Sequence, residues 1–227
     1  MARSLLSPSI LTADFARLGA EVALVADVVD WFHLDVMDGH YVPNLTFGPS
    51  TVAAVKSSCD NPLHVHLMIT DPARYAEAFA AAGAARISFH PETVDDPGEV
   101  IEAIHAHGAG AGVAVHPDVT LAEVSPYLAR IEVLLVMTVR PGFGGQGFLH
   151  EVLPKLRAAK EAVVAQGLEV DVEVDGGVNL STVDEVVDAG ADIVVAGSAI
   201  FDGVDPSAAA LRLRDRLEVL AAGRPAS

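Results

Sequence analysis

Residues 63–90 read LHVHLMITDPARYAEAFAAAGAARISFH, and their pattern is strand, helix, strand. Leu63–Ile69 alternates His64, His66 and Met68 on one face with Val65, Leu67 and Ile69 on the other, the period of an extended chain. Asp71-Pro72 supplies a cap residue and a proline at the first helical position, and the Ala-rich run that follows closes at Gly83. Arg86–His90 then returns to a strand pattern. A helix between two strands lets them lie parallel, because parallel neighbours need a long crossover.

The same unit recurs in both directions. Further strands are expected at Ser4–Ile10, Trp31–Met37, Gly110–His116, Ile131–Val139, Leu168–Val174 and Asp192–Ala196. The helices expected between them are Ala13–Val29 with Thr12 as cap, Pro49–Ser57, Pro97–His107, Leu121–Ala129 after Thr120, Leu149–Gln166 and Leu180–Ala189. A last helix is expected at Pro206–Ala221, after a short helical turn at Ser198–Phe201, and the final residues, 222–227, as a frayed tail. Eight such units in 227 residues, with no linker or composition break, imply an α/β fold: one (β/α)8 TIM barrel domain over 1–227, built on a parallel eight-stranded sheet. An open doubly wound sheet fits less well, since no GxGxxG follows the first strand and no strand has the polar character of an edge.

Composition narrows the function. The net charge of −17 argues against nucleic acid, whose binding depends on Lys and Arg neutralising phosphates. An anionic small ligand would therefore be held locally, by backbone amides or a metal. Apolar residues make up 51%, but they come in short blocks, far from the roughly 18 consecutive apolar residues of a membrane helix. The N-terminal MARSLLSPSILTADF has a brief apolar patch cut by Pro8 and does not read as a signal peptide, and Cys59 is the only cysteine. A soluble cytoplasmic protein is expected.

In barrels of this kind chemistry gathers where strands end. On the second strand His33, Asp35 and Met37 share a face, and a His and an Asp two apart reach the same side about 6–7 Å from one another. Alone, that pair reads more readily as a satisfied polar pair than as a metal site. His66 and Met68 end the third strand on one face, Met137 the sixth, and Glu173 and Asp175 the seventh, with Ser9 at the rim of the first. His33, Asp35, His66 and Asp175 together suit one divalent ion such as Zn, Fe(II), Mn or Co. His64 reads as a hydrogen-bonded barrel residue one layer deeper, and His90 and His116 are assigned structural roles. Glycines follow three adjacent strands: Gly142-Phe143-Gly144-Gly145, Gly176-Gly177 and Gly197-Ser198. They let backbone N–H groups approach an anion, and a phosphate cradle is expected there.

The stretches PSILTADF at Pro8, HLDVMDGHYVPNLTFGP at His33, HVHLMITDP at His64, VMTVRPGFGGQGF at Val136, EVDGGVN at Glu173 and VAGSAIF at Val195 resemble the ribulose-phosphate 3-epimerase family over nearly the whole chain. The resemblance implies interconversion of D-ribulose 5-phosphate and D-xylulose 5-phosphate at C3, a pentose phosphate pathway reaction. It also implies that Asp35 and Asp175 form the acid/base pair, with His33, Asp35, His66 and Asp175 as metal ligands. Ser9 and His66 would touch substrate, and the glycine segments with Ser198 would hold its phosphate. Met37, Met68 and Met137 would form an aprotic wall against the intermediate. A homo-oligomer is expected as well. Arg140 and Gly147 depart from the family's usual residues, and Thr12 stands where Ser is usual. The alternatives are a 3-epimerase of a six-carbon ketose phosphate such as D-allulose 6-phosphate, and a non-catalytic sugar-phosphate-binding barrel, which should lack one aspartate. A lyase or decarboxylase of similar fold would commonly use a Lys, but Lys56, Lys155 and Lys160 all fall on expected helices. The loop through Asn44 and Phe47 is expected to cover the site.

Overall fold

The computed structural model describes residues 4–201 and 203–222, so 223–227 of the expected tail lie outside the described residues. Its strands are β1 (Leu5–Pro8), β2 (Phe32–Met37), β3 (Leu63–Met68), β4 (Ala84–Phe89), β5 (Gly110–Val115), β6 (Val133–Met137), β7 (Asp171–Asp175) and β8 (Ile193–Ala196). All pair in parallel in the order β1-β8-β7-β6-β5-β4-β3-β2. A parallel bridge between Ser9 and His33 brings the two ends together, so the sheet curls into a nearly closed barrel.

The helices are α1 (Leu18–Val25), α2 (Pro49–Lys56), α3 (Pro72–Ala81), α4 (Pro97–Ala106), α5 (Leu121–Val124), α6 (Leu153–Ala165), α7 (Val183–Asp188) and α8 (Pro206–Ala222). Several are shorter than expected, α6 and α7 among them, and for α1 and α5 the reason is clear. The hydroxyl of Ser9 accepts from Leu11 N and the carboxylate of Asp14 from Ala16 N, which holds residues 10–12 and 15–17 in separate 3-10 turns before α1 begins. Thr12 is thus inside a turn and is not the cap of α1. α5 does start at the expected cap Thr120, which forms a capping box with Glu123, but Ser125-Pro126 turns the rest, residues 125–130, into a 3-10 helix. The turn expected at Ser198–Phe201 forms, with Ile200 N and Phe201 N donating to Gly197 O.

Alternation along the strands makes two layers. The outward residues, among them Leu34, Val65, Leu67, Ile87, Val113, Leu134, Val172 and Val194, pack with the helices into one wholly buried cluster. Each such side chain contributes about 1.5–3 kcal/mol by leaving water. The inward residues are unusually polar: Ser7, His33, His64, Ser88 and Glu173 are all at most 1% exposed. Gly112 makes room for them, because a Cβ there would stand only 3.0 Å from Ser88 Cβ. No helix among the described residues is long and apolar enough to cross a membrane.

Candidate active site

Register sets the heights of the polar side chains. β2 pairs His33 with His64, Asp35 with His66 and Met37 with Met68, while β6 pairs Met137 with Asp175 of β7. The lower layer is internally satisfied. Glu173 receives His33 Nδ1 at 2.9 Å and His64 Nδ1 at 2.8 Å, and His64 Nε2 meets Ser88 Oγ at 2.6 Å. Burial alone would raise the Glu173 pKa, but His64 and His33 outweigh it and hold the carboxylate ionised. An ionised acceptor fixes a proton on His33 Nδ1 and turns Nε2 into the upper layer.

There the groups satisfy one another only in part, with a single hydrogen bond between His66 Nδ1 and Asp35 Oδ1. His33 Nε2 is buried with no aligned hydrogen bond, 3.3 Å from Asp35 Oδ1 and 3.8 Å from Asp175 Oδ2. His66 Nδ1 lies 3.1 Å from Asp35 Oδ1 and 3.9 Å from Asp175 Oδ2. One ligand atom from each of His33, Asp35, His66 and Asp175 falls within 4.8 Å of the others. An orphaned imidazole nitrogen facing two buried carboxylates is what a divalent ion would satisfy, and the N/O donor set suits a borderline metal. His33, His64 and Glu173 also cluster, but they already bond one another and leave no such orphan.

The two upper carboxylates are held in opposite states. Burial pushes Asp35 up, but His33 and His66 outweigh it and its pKa falls well below the usual carboxylate range. Its Oδ2 also accepts from Ser9 Oγ at 2.6 Å. Burial and the nearby Asp35 charge push Asp175 up to about 8. Burial works against protonation of His33, yet Asp35, Glu173 and Asp175 raise its pKa well above the ordinary value. Burial dominates at His66 and lowers it to about 3. The upper layer therefore favours a positive charge at its centre.

Above it opens a cleft with about 530 Å³ of empty space. Its lining includes Ser9, Asp35, Met37, Met68, Met137, Gly142, Phe143, Gly144, Gly145, Asp175, Gly176, Gly177, Gly197 and Ser198, while His33 and His66 lie buried beneath. The residues expected as acid/base pair, metal ligands, methionine wall and phosphate cradle, with Ser9, are thus all in the cleft or its floor. The glycine loops are stapled: Asn44 Nδ2 donates to Gly142 O, Gln146 Nε2 to Arg140 O and Phe143 O, and Thr138 Oγ1 to Gly176 O. Gly177 has φ +67° and sits so close to Phe148 that a Cβ would be 2.7 Å from its backbone nitrogen. Glycine there answers to packing as well as to an anion's approach.

Several expectations change. The cover over Met37 and Met68 is made by Tyr41 and Val42, whereas Phe47 turns aside and packs edge-on against Phe15 at 5.1 Å. Arg140 is exposed and pairs with Asp118 at 3.1 Å, outside the cleft lining. Thr12 lines the cleft, its hydroxyl buried and without a partner. His90, expected to be structural, does not stand apart from the site: its Nε2 lies 3.0 Å from His66 Nε2. The spacing His90-x-Glu92 carried that signal. The lysines are spent elsewhere: Lys155 Nζ donates to His116 O, Pro117 O and Val119 O, Lys56 to Asp60 O and Asn61 O, and Lys160 pairs with Asp192.

This combination of floor and rim is matched by known sequences. The profile of the ribulose-phosphate 3 epimerase family fits residues 5–201. The chain belongs to this family. A ribulose-phosphate 3-epimerase of Mycobacterium leprae is 48% identical over 212 residues, covering 93% of this chain and 94% of that one. One from Escherichia coli K12 is 43% identical over 207 residues, covering 90% and 92%. The protein is accordingly an epimerase acting in sugar-phosphate metabolism. Among solved structures, KGPDC from Streptococcus mutans superposes with a TM-score of 0.74 at 16% identity, covering 96% of the epimerase and 99% of its own chain, a likeness of fold alone.

Proposed function

We propose that the epimerase interconverts D-ribulose 5-phosphate and D-xylulose 5-phosphate by moving a proton at C3 between Asp35 and Asp175, with one divalent ion held by His33, Asp35, His66 and Asp175. The observation that carries this reading is the orphaned His33 Nε2 between two carboxylates on the cleft floor. A bound divalent ion would supply Lewis-acid stabilisation of the negative charge that develops on the substrate oxygens.

The chain's own residues supply the rest. A C–H beside a ketone is weakly acidic, so epimerisation needs a base on one face and an acid on the other. Asp35, kept ionised by His33 and His66, takes the C3 proton in one direction. Asp175, biased toward its protonated form, returns a proton to the opposite face, and the roles reverse for the back reaction. Ser9 Oγ–H holds Asp35 Oδ2, which leaves the orientation of the carboxylate fixed. Met37, Met68 and Met137 line the cleft with polarizable thioethers that exchange no protons and exclude water. Gly142–Gly145, Gly176-Gly177 and Gly197-Ser198 hold the phosphate through backbone N–H groups, as a chain of net charge −17 requires. With its single cysteine unpaired, the enzyme is assigned to the cytoplasm.

The test is an assay on D-ribulose 5-phosphate and D-allulose 6-phosphate side by side, before and after chelation. Strong preference for the pentose, lost on chelation and restored by added metal, is expected. Full rate in protein shown to be metal-free would overturn the metal reading, and preference for the hexose would overturn the substrate.

A further inference from the structure

A line of polar groups leads from the cleft floor to the surface, and the reaction as described does not use it. His66 is followed by His90 at the end of β4, with 3.0 Å between the two Nε2 atoms. His90 Nδ1 lies 3.3 Å from Glu92 Oε1, in ion-pair range though without hydrogen-bond alignment. Tyr41, from the loop after β2, donates its hydroxyl to the same Glu92 oxygen at 2.7 Å. Both imidazoles are 0% exposed, and the Tyr41 ring lies 4.9 Å from that of His90.

The donors along this line have one consistent order. Glu92 Oε1 already accepts the Tyr41 hydroxyl at 2.7 Å, and as a carboxylate it is an acceptor only. A bare Nδ1 lone pair on His90 would face that carboxylate at 3.3 Å, so the proton of His90 belongs on Nδ1. A neutral His90 so oriented presents a bare Nε2, which can only accept, and the group facing it is His66 Nε2. His66 then carries its proton on Nε2, and its Nδ1, within 3.1 Å of Asp35 Oδ1 and 3.9 Å of Asp175 Oδ2, is free to bind a cation held between it and those carboxylates. The reverse order, with His66 Nδ1–H donated to Asp35 Oδ1 and His90 Nε2–H donated to His66, occupies Nδ1 with a proton and turns a bare His90 Nδ1 toward the Glu92 carboxylate, so metal at Nδ1 and the His90–Glu92 pair favour the same order.

We propose that His90, anchored by Glu92 and Tyr41, is a positioning residue that selects the Nε2–H tautomer of His66 and so prepares Nδ1 as a metal ligand. This is the counterpart of Glu173, which does the same for His33 from the opposite layer. The inference rests on the metal reading of the site.

Three measurements test it. In zinc-loaded protein with 15N-labelled histidines, His66 should show a protonated Nε2 and a metal-bound Nδ1, and His90 a protonated Nδ1. The zinc affinity of His90→Phe, from competition with a chromophoric chelator, should fall about ten- to a hundredfold, the usual cost of an outer-shell partner. His90→Gln, whose carbonyl can still accept from His66, should recover most of that loss, and Tyr41→Phe should lose only a few fold. Zinc bound through His66 Nε2, or His90→Phe with wild-type affinity, overturns the role of His90 while leaving the metal site intact. Wild-type protein that takes up no zinc overturns this inference and the metal reading together, and is told apart from the first case by His66→Ala binding no worse. Should His90→Phe fail to fold, the histidine signals of the wild type still decide the tautomer.

Discussion

The two arcs of the barrel mouth handle charge with opposite materials. On the arc of β2, β3 and β4 the chemistry is in side chains, with His33, Asp35, His66 and His90 all at most 3% exposed and in mutual contact. On the arc of β6, β7 and β8 the rim is mostly backbone: Gly142, Gly144, Gly145, Gly176, Gly177 and Gly197. A proton or a metal ion must be met by a group that titrates or coordinates, so the first arc needs bulky side chains fixed by neighbours. An anion can be met by N–H groups, which every residue but proline has, so the second arc improves as side chains are removed. Asp175 belongs to the second arc by its strand and to the first by its chemistry, and it joins them.

The largest effects should come from the joint. Asp35→Asn and Asp175→Asn should each lower turnover by about 10²–10⁴ with the fold retained, read by kcat alongside circular dichroism. Loss of solvent hydrogen exchange at C3 should accompany both, and near wild-type activity in either would break the two-base assignment.

Next is the support beneath the first arc. Glu173→Gln removes the charge that fixes the His33 proton on Nδ1, and metal affinity should drop about 10–100-fold. Unchanged affinity would mean that the lower layer serves only packing.

On the second arc, Gly177→Ala meets both a positive φ and the Phe148 backbone. It should destabilise the protein by about 1–3 kcal/mol and raise KM for the phosphorylated substrate more than it lowers kcat. A pure kcat effect would detach the glycines from phosphate binding.

The two aspartates should also differ in how pH acts on the metal-free protein. Burial and the Asp35 charge push Asp175 from the ordinary carboxylate value of 3.8 up to about 8 in the folded protein, so its contribution is fully present at low pH and is lost as pH rises through that window. Asp35, lowered instead, contributes above its unfolded pKa and loses that as pH falls. Chelated Asp175→Asn should therefore gain on chelated wild type as pH rises from about 5 to 8, by up to about 1.4 kcal/mol per unit in chemical denaturation. A constant difference across that range would show the carboxyl already ionised.

The smallest effect is expected at Thr12, whose buried hydroxyl lacks a partner. Thr12→Val should leave stability within about 0.5 kcal/mol, and Thr12→Ser should match wild type in KM. A large rise in KM for Thr12→Val would add this hydroxyl to the phosphate arc.

How much could be read from residues alone varies with range. Gly83, Gly108 and Gly190 mark helix ends correctly, because a positive φ is a local demand that glycine meets locally. The span before α1 misled, since Ser9 and Asp14 capture backbone N–H groups that a helix would have used. Phe47 was placed over the site because it follows the HLDVMDG strand, but its ring finds Phe15 instead, a partner 32 positions away. His90 was passed over although Glu92 stands two residues on, because the contact that gives it meaning is with His66 across the β3–β4 pair.

The sequence by itself determined the barrel, its strand faces and the inward set of His33, Asp35, His66 and Asp175. These follow from periods of two and 3.6 residues and from caps and glycines, which act within a few residues of the chain. Only the tertiary structure decided that His33 Nε2 is left without a partner, that Asp35 and Asp175 sit in opposite protonation states, and that His66 leans on His90, Glu92 and Tyr41. Those properties depend on burial and on distances of a few ångströms between different strands and loops, and closure of the barrel is what sets them.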